Sequence, residues 1–323
     1  MEKILITGIT GQDGLFLTSE ILNNIENTKI YGTTRSNNHN VFNKKLSTLT
    51  NKDISKITLI NLELENFMNV DAFISDIRPD QIYNLTGPSS VYQSLNDKGI
   101  TYNQIVNIFD NLIKSINNNS LKTKFFQASS SEMFGVNETG VYDESSKFIP
   151  TTPYAKAKYK NHKKIINLYQ DHDLDIFSGI MFNHESEFRS NNYLIMQIIN
   201  SAKIISEGKK SEFKVGSIDL IRDWSFAGDV AKAIFQINNY ASSNSYVIGS
   251  GKGVRIEDLI KLVFNYFNLD YKDYLKVDAS LNRKNNILKI TSNPNKINQE
   301  LSWKASMLFE DLIIRCIEKR FNE

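Results

Sequence analysis

Cysteine is nearly absent from this 323-residue chain. Cys316 stands alone, so no internal disulfide can form. It lies in an amphipathic C-terminal stretch, where a buried structural thiol is the expectation. An excess of charge is missing too: the formal balance is +2 at pH 7, too small to argue for a nucleic-acid or membrane-surface partner. No apolar run has the length that crosses a bilayer. The start, Met1-Glu-Lys before Ile4-Leu5-Ile6, lacks the charged region, long apolar segment and small-residue cleavage site of a secretion signal. A soluble, cytoplasmic protein is therefore expected. The four histidines form no cluster, and no other His, Cys or carboxylate stands at ligand spacing from His184, so no metal is expected. No linker, repeat or abrupt change of composition divides the chain.

What is present is ordinary globular composition, 41% hydrophobic and 23% charged, on a chain long enough for one large or two intimate domains. Apolar runs and helical periodicities alternate: strands are predicted near residues 3–8, 29–34, 56–62, 81–85, 124–129 and 175–182, with helices between them. Such alternation predicts the α/β class, a Rossmann-type doubly wound parallel sheet. Past Asn183 the pattern becomes irregular, which fits a smaller mixed α/β C-terminal substrate domain. The expected division is 1–182, with returning segments near 219–250 such as Ser245 to Ile248, against the remainder of 183–323.

Between the first strand and its helix lie Gly8, Gly11 and Gly14, in the turn Gly8-Ile9-Thr10-Gly11-Gln12-Asp13-Gly14. Glycines there let the backbone turn tightly and approach a pyrophosphate at the positive helix N-terminus. The G-x-x-G-x-x-G spacing differs by one residue from the commonest dinucleotide fingerprint and suggests a distinct subclass. At the end of the second strand no carboxylate awaits a ribose diol; Arg35 stands there instead, favouring the 2′-phosphate of NADP, with NAD as the alternative. Glu63, after the third strand, is either an acceptor for the adenine amino group or a solvated acid.

Tyr154 and Lys158 are four apart in a predicted helix and share a face. A nearby ammonium would lower the phenol's pKa and help hold a nicotinamide ribose. Tyr159 and Lys163 repeat the spacing, but Pro153 favours Tyr154 by placing it in the accessible first helical turn. With Ser130 this is enough to move a hydride between a carbinol and a nicotinamide. Glu132 has no role in that chemistry, so it suggests a second proton transfer next to a new carbonyl, and hence elimination.

Seven motifs, in order along essentially the whole chain, carry a resemblance. They are Thr7-Gly-Ile-Thr-Gly-Gln-Asp-Gly14, Tyr83-Asn-Leu85, Gln127-Ala-Ser-Ser-Ser-Glu132, Thr152-Pro-Tyr154 with Lys158, Phe182-Asn-His-Glu-Ser186, Arg222-Asp-Trp224 and Leu301-Ser-Trp303. The chain resembles the GDP-mannose 4,6-dehydratases of the extended short-chain dehydrogenase/reductases. The resemblance implies a redox-neutral cycle. Tyr154 takes the C4 hydroxyl proton as hydride leaves C4, with Ser130 in place of the usual threonine, and Glu132 moves a proton between C5 and the departing C6 hydroxyl. It implies that Gly8, Gly11, Gln12, Asp13, Gly14, Arg35, Glu63 and Leu85, with Tyr154, Lys158, His184 and Arg189, meet the cofactor. It implies that Ser89, Asn183, Arg222 and Arg283, with Arg189 again, face a GDP-sugar, and that the protein is a homodimer or homotetramer.

The chain also departs from the family. Arg35-Ser36 replaces paired arginines, Gly87-Pro88-Ser89-Ser90 replaces Ala-Gln-Ser-His, and Glu187-Phe188-Arg189 replaces Pro-Arg-Arg. Met196-Gln197 stands for a basic pair, and Lys284-Asn-Asn follows Arg283 in place of proline and an acid. With the resemblance and these departures together, the expected substrate is GDP-mannose or a close relative such as a GDP-linked heptose. A related keto-reductase or epimerase would keep Ser130, Tyr154 and Lys158 without needing Glu132 as a base. A nucleotide-binding assembly protein that has lost catalysis would not need the set at all.

Overall fold

The computed structural model describes residues 1–35, 39–87, 94–95, 97, 99–135, 140–170, 174–242, 244–281 and 287–321. The first half alternates strand and helix: β1 (Glu2–Thr7), α1 (Gln12–Asn24), β2 (Thr28–Thr33), α2 (His39–Ser47), β3 (Ile57–Ile60), α3 (Phe67–Ile77), β4 (Gln81–Asn84), α4 (Ile100–Asn118) and β5 (Lys124–Ser130). The short β6 (Val141–Tyr142) precedes α5 (Pro153–Gln170), β7 (Ile176–Met181) and β8 (Asn183–Glu185). Then follow α6 (Leu194–Ser206), β9 (Phe213–Val215), β10 (Ile221–Phe226), α7 (Ala227–Tyr240), β11 (Ser245–Ile248), β12 (Gly253–Arg255) and α8 (Ile256–Tyr266). The last elements are β13 (Leu275–Val277), β14 (Lys289–Ser292), α9 (Asn295–Leu301) and α10 (Phe309–Phe321).

Seven strands form one parallel sheet in the order β11-β7-β5-β4-β1-β2-β3. The strands are nearly continuous apolar runs because helices cover both faces. On one face Ile4, Ile6, Tyr83, Phe126 and Ile248 pack with α1 and α7. On the other, Leu5, Ile82, Phe125 and Ile176 pack with α3, α4 and α5. Strand order reverses between β1 and β4, and in such sheets the crevice at that point, beyond the carboxyl ends of the strands, receives ligands.

A second sheet runs β12-β10-β14-β6, with β8 paired to β10, and β13 pairs β9 alone. Its lobe has a separate core of α6, α8 and α10 side chains, including Ile199, Leu259, Phe264 and Ile313. Cys316 is buried in this core, and burial pushes its thiol pKa up. β11 extends the edge of the large sheet and α7 packs on α1, whereas β10 lies in the second sheet. No helix among the described residues is long and apolar enough to cross a membrane. The helix α2 is absent from the sequence reading because it buries only Phe42 and Leu46, too few for a clear period.

Candidate active site

The glycine turn joins β1 to α1 at the switch point. Gly8 has φ +73°, a left-handed conformation that L side chains rarely adopt. A Cβ at Gly14 would lie 2.4 Å from the Ile9 carbonyl oxygen, so only glycine lets the helix start this close beneath the strand. Gly11 caps α1 with no side-chain hydrogen bond. Beside Gly8, the Thr86 hydroxyl oxygen is buried and has no hydrogen-bond partner. A helix N-terminus with backbone donors and no capping side chain suits an anionic ligand.

Gln12 and Asp13, in the first turn of α1, reach β8 and the residue just after it. Gln12 Nε2 donates to the His184 carbonyl at 3.1 Å, and its Oε1 accepts from Ser186 Oγ at 2.8 Å. His184 Nε2 meets Asp13 Oδ1 at 3.0 Å, and its Nδ1 meets the Phe182 carbonyl at 2.7 Å. One turn on, Arg189 Nε donates to Glu185 at 2.9 Å while the guanidinium lies 3.9 Å from the Tyr193 ring centroid. The turn Gly8–Gly14 and the motif Asn183-His-Glu-Ser186 are thus partners in one network. Ser186 and Glu185, which sequence reasoning did not single out, complete it. Their signal is the shared motif Asn183-His-Glu-Ser186 itself.

The network sets the ionisation of its members. Burial opposes charge on Asp13, but the His184 imidazole, Arg189 and hydrogen bonds from His184 and Gln12 outweigh it and hold the carboxyl well below its ordinary value. Burial likewise disfavours imidazolium at His184, yet the touching Asp13 carboxylate raises its pKa above 6.5. Burial pushes Glu185 up against the pull of Arg189 and His184.

The signs give a stability prediction. His184, raised in the folded state, contributes fully below its ordinary 6.5, and that contribution disappears as pH rises through its raised value. Asp13, depressed, contributes above its ordinary 3.8 and loses its contribution as pH falls through its lowered value. The Tm difference between wild type and His184→Gln should therefore be largest near pH 5 to 6 and shrink toward pH 9. A difference constant across that range would contradict the ion pair.

β5 leads into the loop that carries Ser130 and Glu132. The strand ends at Ser130, which caps one 3₁₀ turn, Ser131–Met133, by accepting from Glu132 N at 3.3 Å. Met133 and Phe134 anchor the turn in a buried cluster with Tyr142, Ile180 and Phe182, and Phe134 stacks between Tyr142 and Phe148. Glu132 itself is only half-buried. Opposite, Thr152 Oγ1 accepts from Ala155 N at 3.1 Å, starting α5 at Pro153 and putting Tyr154 in its first turn. The Ser130 hydroxyl lies close enough to the Tyr154 phenol to act on it, and Lys158 Nζ donates to the Ala128 carbonyl at 2.8 Å.

The expected lowering of the phenol by Lys158 is not what these positions produce. Burial is the largest influence on Tyr154 and raises its pKa, outweighing the Ser130 hydroxyl, while the Glu132 charge adds to the rise. Lys158 lies 5.7 Å from the Tyr154 ring centroid, and burial brings its own pKa down to about 8. Tyr159 and Lys163, the competing pair, line a separate cleft of about 350 Å³ with Tyr102 and Pro150, and Lys163 is exposed.

The remaining expected residues are scattered around this centre. Arg35 and Glu63 are exposed just beyond β2 and β3, and Leu85 is partly buried against the large core. Asn183 pairs with Trp224 across β8 and β10. Arg222 Nη1 donates to the Ile221 carbonyl at 2.8 Å. Ser89 and Arg283 lie outside the described residues, as do Ser36, Pro88, Ser90 and Lys284. Sequence reasoning passed over Asp223. It is buried between Arg222 and Trp224 and accepts from Ser250, Gly251 and Ser292, joining β10 to β14 and the loop after β11.

Solved structures share this architecture. A dTDP-glucose 4,6-dehydratase from Streptomyces venezuelae, with NAD and TYD bound, superposes with a TM-score of 0.86 at 17% identity, covering 99% of this chain and 97% of that one. RMD from Pseudomonas aeruginosa, complexed with NADPH, gives 0.78 at 16% identity with both chains fully covered. At these identities the likeness concerns the fold. In sequence, GDP-mannose 4,6 dehydratase 2 of Arabidopsis thaliana is 29% identical over 331 aligned positions, which take in 98% of this chain and 86% of the relative. The family model described as GDP-mannose 4,6 dehydratase matches residues 5–316, nearly the whole length. With the glycine turn, the Ser130–Tyr154–Lys158 set and Glu132 on one crevice, the chain belongs to the GDP-mannose 4,6-dehydratase family.

Proposed function

We propose that this chain is a hydro-lyase that removes water from GDP-mannose, or from a close GDP-linked sugar such as a heptose, to give the 4-keto-6-deoxy sugar nucleotide. One observation carries the reading: the 3₁₀ turn after β5 sets Glu132 two residues beyond Ser130, and both side chains act on the Tyr154 phenol. A carboxylate is thereby held beside an alcohol-oxidising set.

The residues fit a nicotinamide dinucleotide. The helix start at Gly11 carries no side chain, and the orphaned Thr86 hydroxyl oxygen beside Gly8 calls for a partner. The Gly8–Gly14 turn would hold the pyrophosphate, Tyr154 and Lys158 the nicotinamide ribose, and Arg35 the 2′-phosphate of NADP, the form we favour over NAD. When bound, this cofactor supplies the chemistry of accepting a hydride and later returning it. Tyr154 takes the proton of the C4 hydroxyl, and Ser130 hydrogen-bonds the same oxygen. The C4 ketone acidifies the hydrogen at C5, which Glu132 removes. Glu132 then passes a proton to the C6 hydroxyl, which departs as water.

On this reading residues 1–182, with segments returning near 219–250, bind the cofactor. The remainder of 183–323 binds the sugar nucleotide, with Asn183, Arg189, Arg222, Ser89 and Arg283 toward it. A homodimer or homotetramer in the cytoplasm is proposed on the same family grounds.

The test is incubation with GDP-mannose and a trace of NADP or NAD, with no reductant. A ketone detectable in alkali should accumulate, faster with NADP. Absence of product, with turnover appearing only when a 4-keto sugar nucleotide and NADPH are supplied, would make the protein a reductase.

A further inference from the structure

The large sheet carries a row of polar side chains at one level. Thr33, Thr7, Asn84, Gln127 and Ser178 are register partners across β2, β1, β4, β5 and β7, and all are buried. Two residues earlier on the same face the row reads Tyr31, Leu5, Ile82, Phe125 and Ile176. Buried polar groups in a parallel sheet carry a desolvation cost unless they are paired, so the change of chemistry at one level requires a reason. Here the pairing is a continuous chain. Thr86 N donates to Thr7 Oγ1 at 3.3 Å, and Thr7 donates to Asn84 Oδ1 at 2.7 Å. Asn84 Nδ2 donates to Gln127 Oε1 at 2.8 Å, and Gln127 Nε2 donates to the Ala128 carbonyl at 3.0 Å.

Both ends are backbone groups of fixed polarity, an N–H at Thr86 and a carbonyl at Ala128, so the hydroxyl and two amides between them have a single self-consistent orientation. The chain begins at the Thr86 N–H, passes through Thr7, the residue before Gly8, and ends on the carbonyl that also accepts from Lys158 Nζ. We propose that Asn84 and Gln127 are positioning residues for the reaction, holding the Ala128 carbonyl and hence Lys158 in register with the glycine turn that starts at Thr7. This rests on Lys158 acting as described under Proposed function. Hydrogen bonds in series polarise one another, so breaking the chain in the middle loosens both ends.

The experiment compares wild type, Lys158→Met, Asn84→Leu, Gln127→Met and Gln127→Glu with GDP-mannose and NADP, recording kcat, KM, Tm and the pH profile. Asn84→Leu and Gln127→Met should lower kcat about tenfold, the rate equivalent of one hydrogen bond, and leave KM for GDP-mannose within about twofold. Gln127→Glu keeps an acceptor for Asn84 and loses the donor to Ala128, so it remains informative if the apolar variants do not fold. Its carboxylate favours the charged ammonium and should move the alkaline limb of the profile, set by loss of charge on Lys158, to higher pH. Among the described residues the groups already acting on Lys158 are Asp13 from α1 and Tyr154 on its own helix, while β5 presents the neutral Gln127 and Ala128 carbonyl. Folded variants with wild-type kcat and an unmoved limb would overturn the positioning role, as would a Gln127→Glu variant that changes Tm alone. Full activity in Lys158→Met would instead overturn the reading of the site.

Discussion

Glu132→Gln is expected to lower turnover of GDP-mannose by a factor of about 10² to 10⁴, the usual contribution of a positioned acid/base. Glutamine keeps the shape and hydrogen-bonding reach of the side chain but does not titrate. The turn that carries it is held from below by Met133 and Phe134, both buried, and by the Ser130 cap. The side chain itself is half-buried. Stability should change by no more than about 1 kcal/mol, the scale of one hydrogen bond. Nucleotide affinity should be unaltered, since the glycine turn belongs to a different element. Deuterium from solvent should no longer enter C5 of the sugar. Normal C5 exchange in the variant would remove Glu132 from the role assigned to it.

Tyr154→Phe is expected to be comparably severe, again about 10² to 10⁴ in kcat, while the protein stays folded. The ring packs with Ile105, Val106 and Ala157, and phenylalanine preserves those contacts. What is lost is the hydroxyl and its contact with Ser130, worth no more than about 1 kcal/mol of stability. The disproportion between a small Tm change and a large rate change is the expected signature. Burial raises the phenol's pKa in the protein alone, so a tyrosine acting as base draws on cationic neighbours: Arg189, whose charge lowers it, and Lys158, 5.7 Å from its ring centroid on the same helix. A variant that keeps more than about a tenth of wild-type turnover would show that another group takes the C4 proton.

The two expectations differ in what they report. Loss of Tyr154 halts the first oxidation, whereas loss of Glu132 leaves oxidation intact and halts the elimination. A Glu132→Gln protein that still reduces its nicotinamide cofactor on addition of GDP-mannose, without solvent exchange at C5, would separate the two halves of the cycle. The His184–Asp13 pair bears on neither step directly. It fixes β8, and with it Asn183, against the helix that follows the glycine turn.

Much of the site was legible in the sequence because it is local chemistry. The glycine turn needs only a strand, three small residues and a helix, and its conformational demands fall on Gly8 and Gly14 themselves. Tyr154 and Lys158 share a helical face by spacing alone, and Pro153 marked the accessible turn. The carboxylate at Glu132 suggested an elimination, the reaction class named in the description of the family to which the chain belongs. Strand and helix periods likewise specified a parallel sheet with helices on both faces, including the return of Ser245 to Ile248 to its edge.

Pairings between distant segments belong to the tertiary structure. Gln12 meets Ser186 and Asp13 meets His184 across more than 170 residues, and nothing in either motif names the other. Thr7 and Asn84 close their strands and Gln127 sits in the middle of β5, and only parallel register makes them one chain leading to Lys158. Ionisation followed the same rule: spacing suggested that Lys158 would lower Tyr154, and burial, which no linear pattern reports, reverses the sign. Periodicity decides which face of an element is apolar. Which elements become neighbours, and how far their polar groups leave water, is decided when those faces pack.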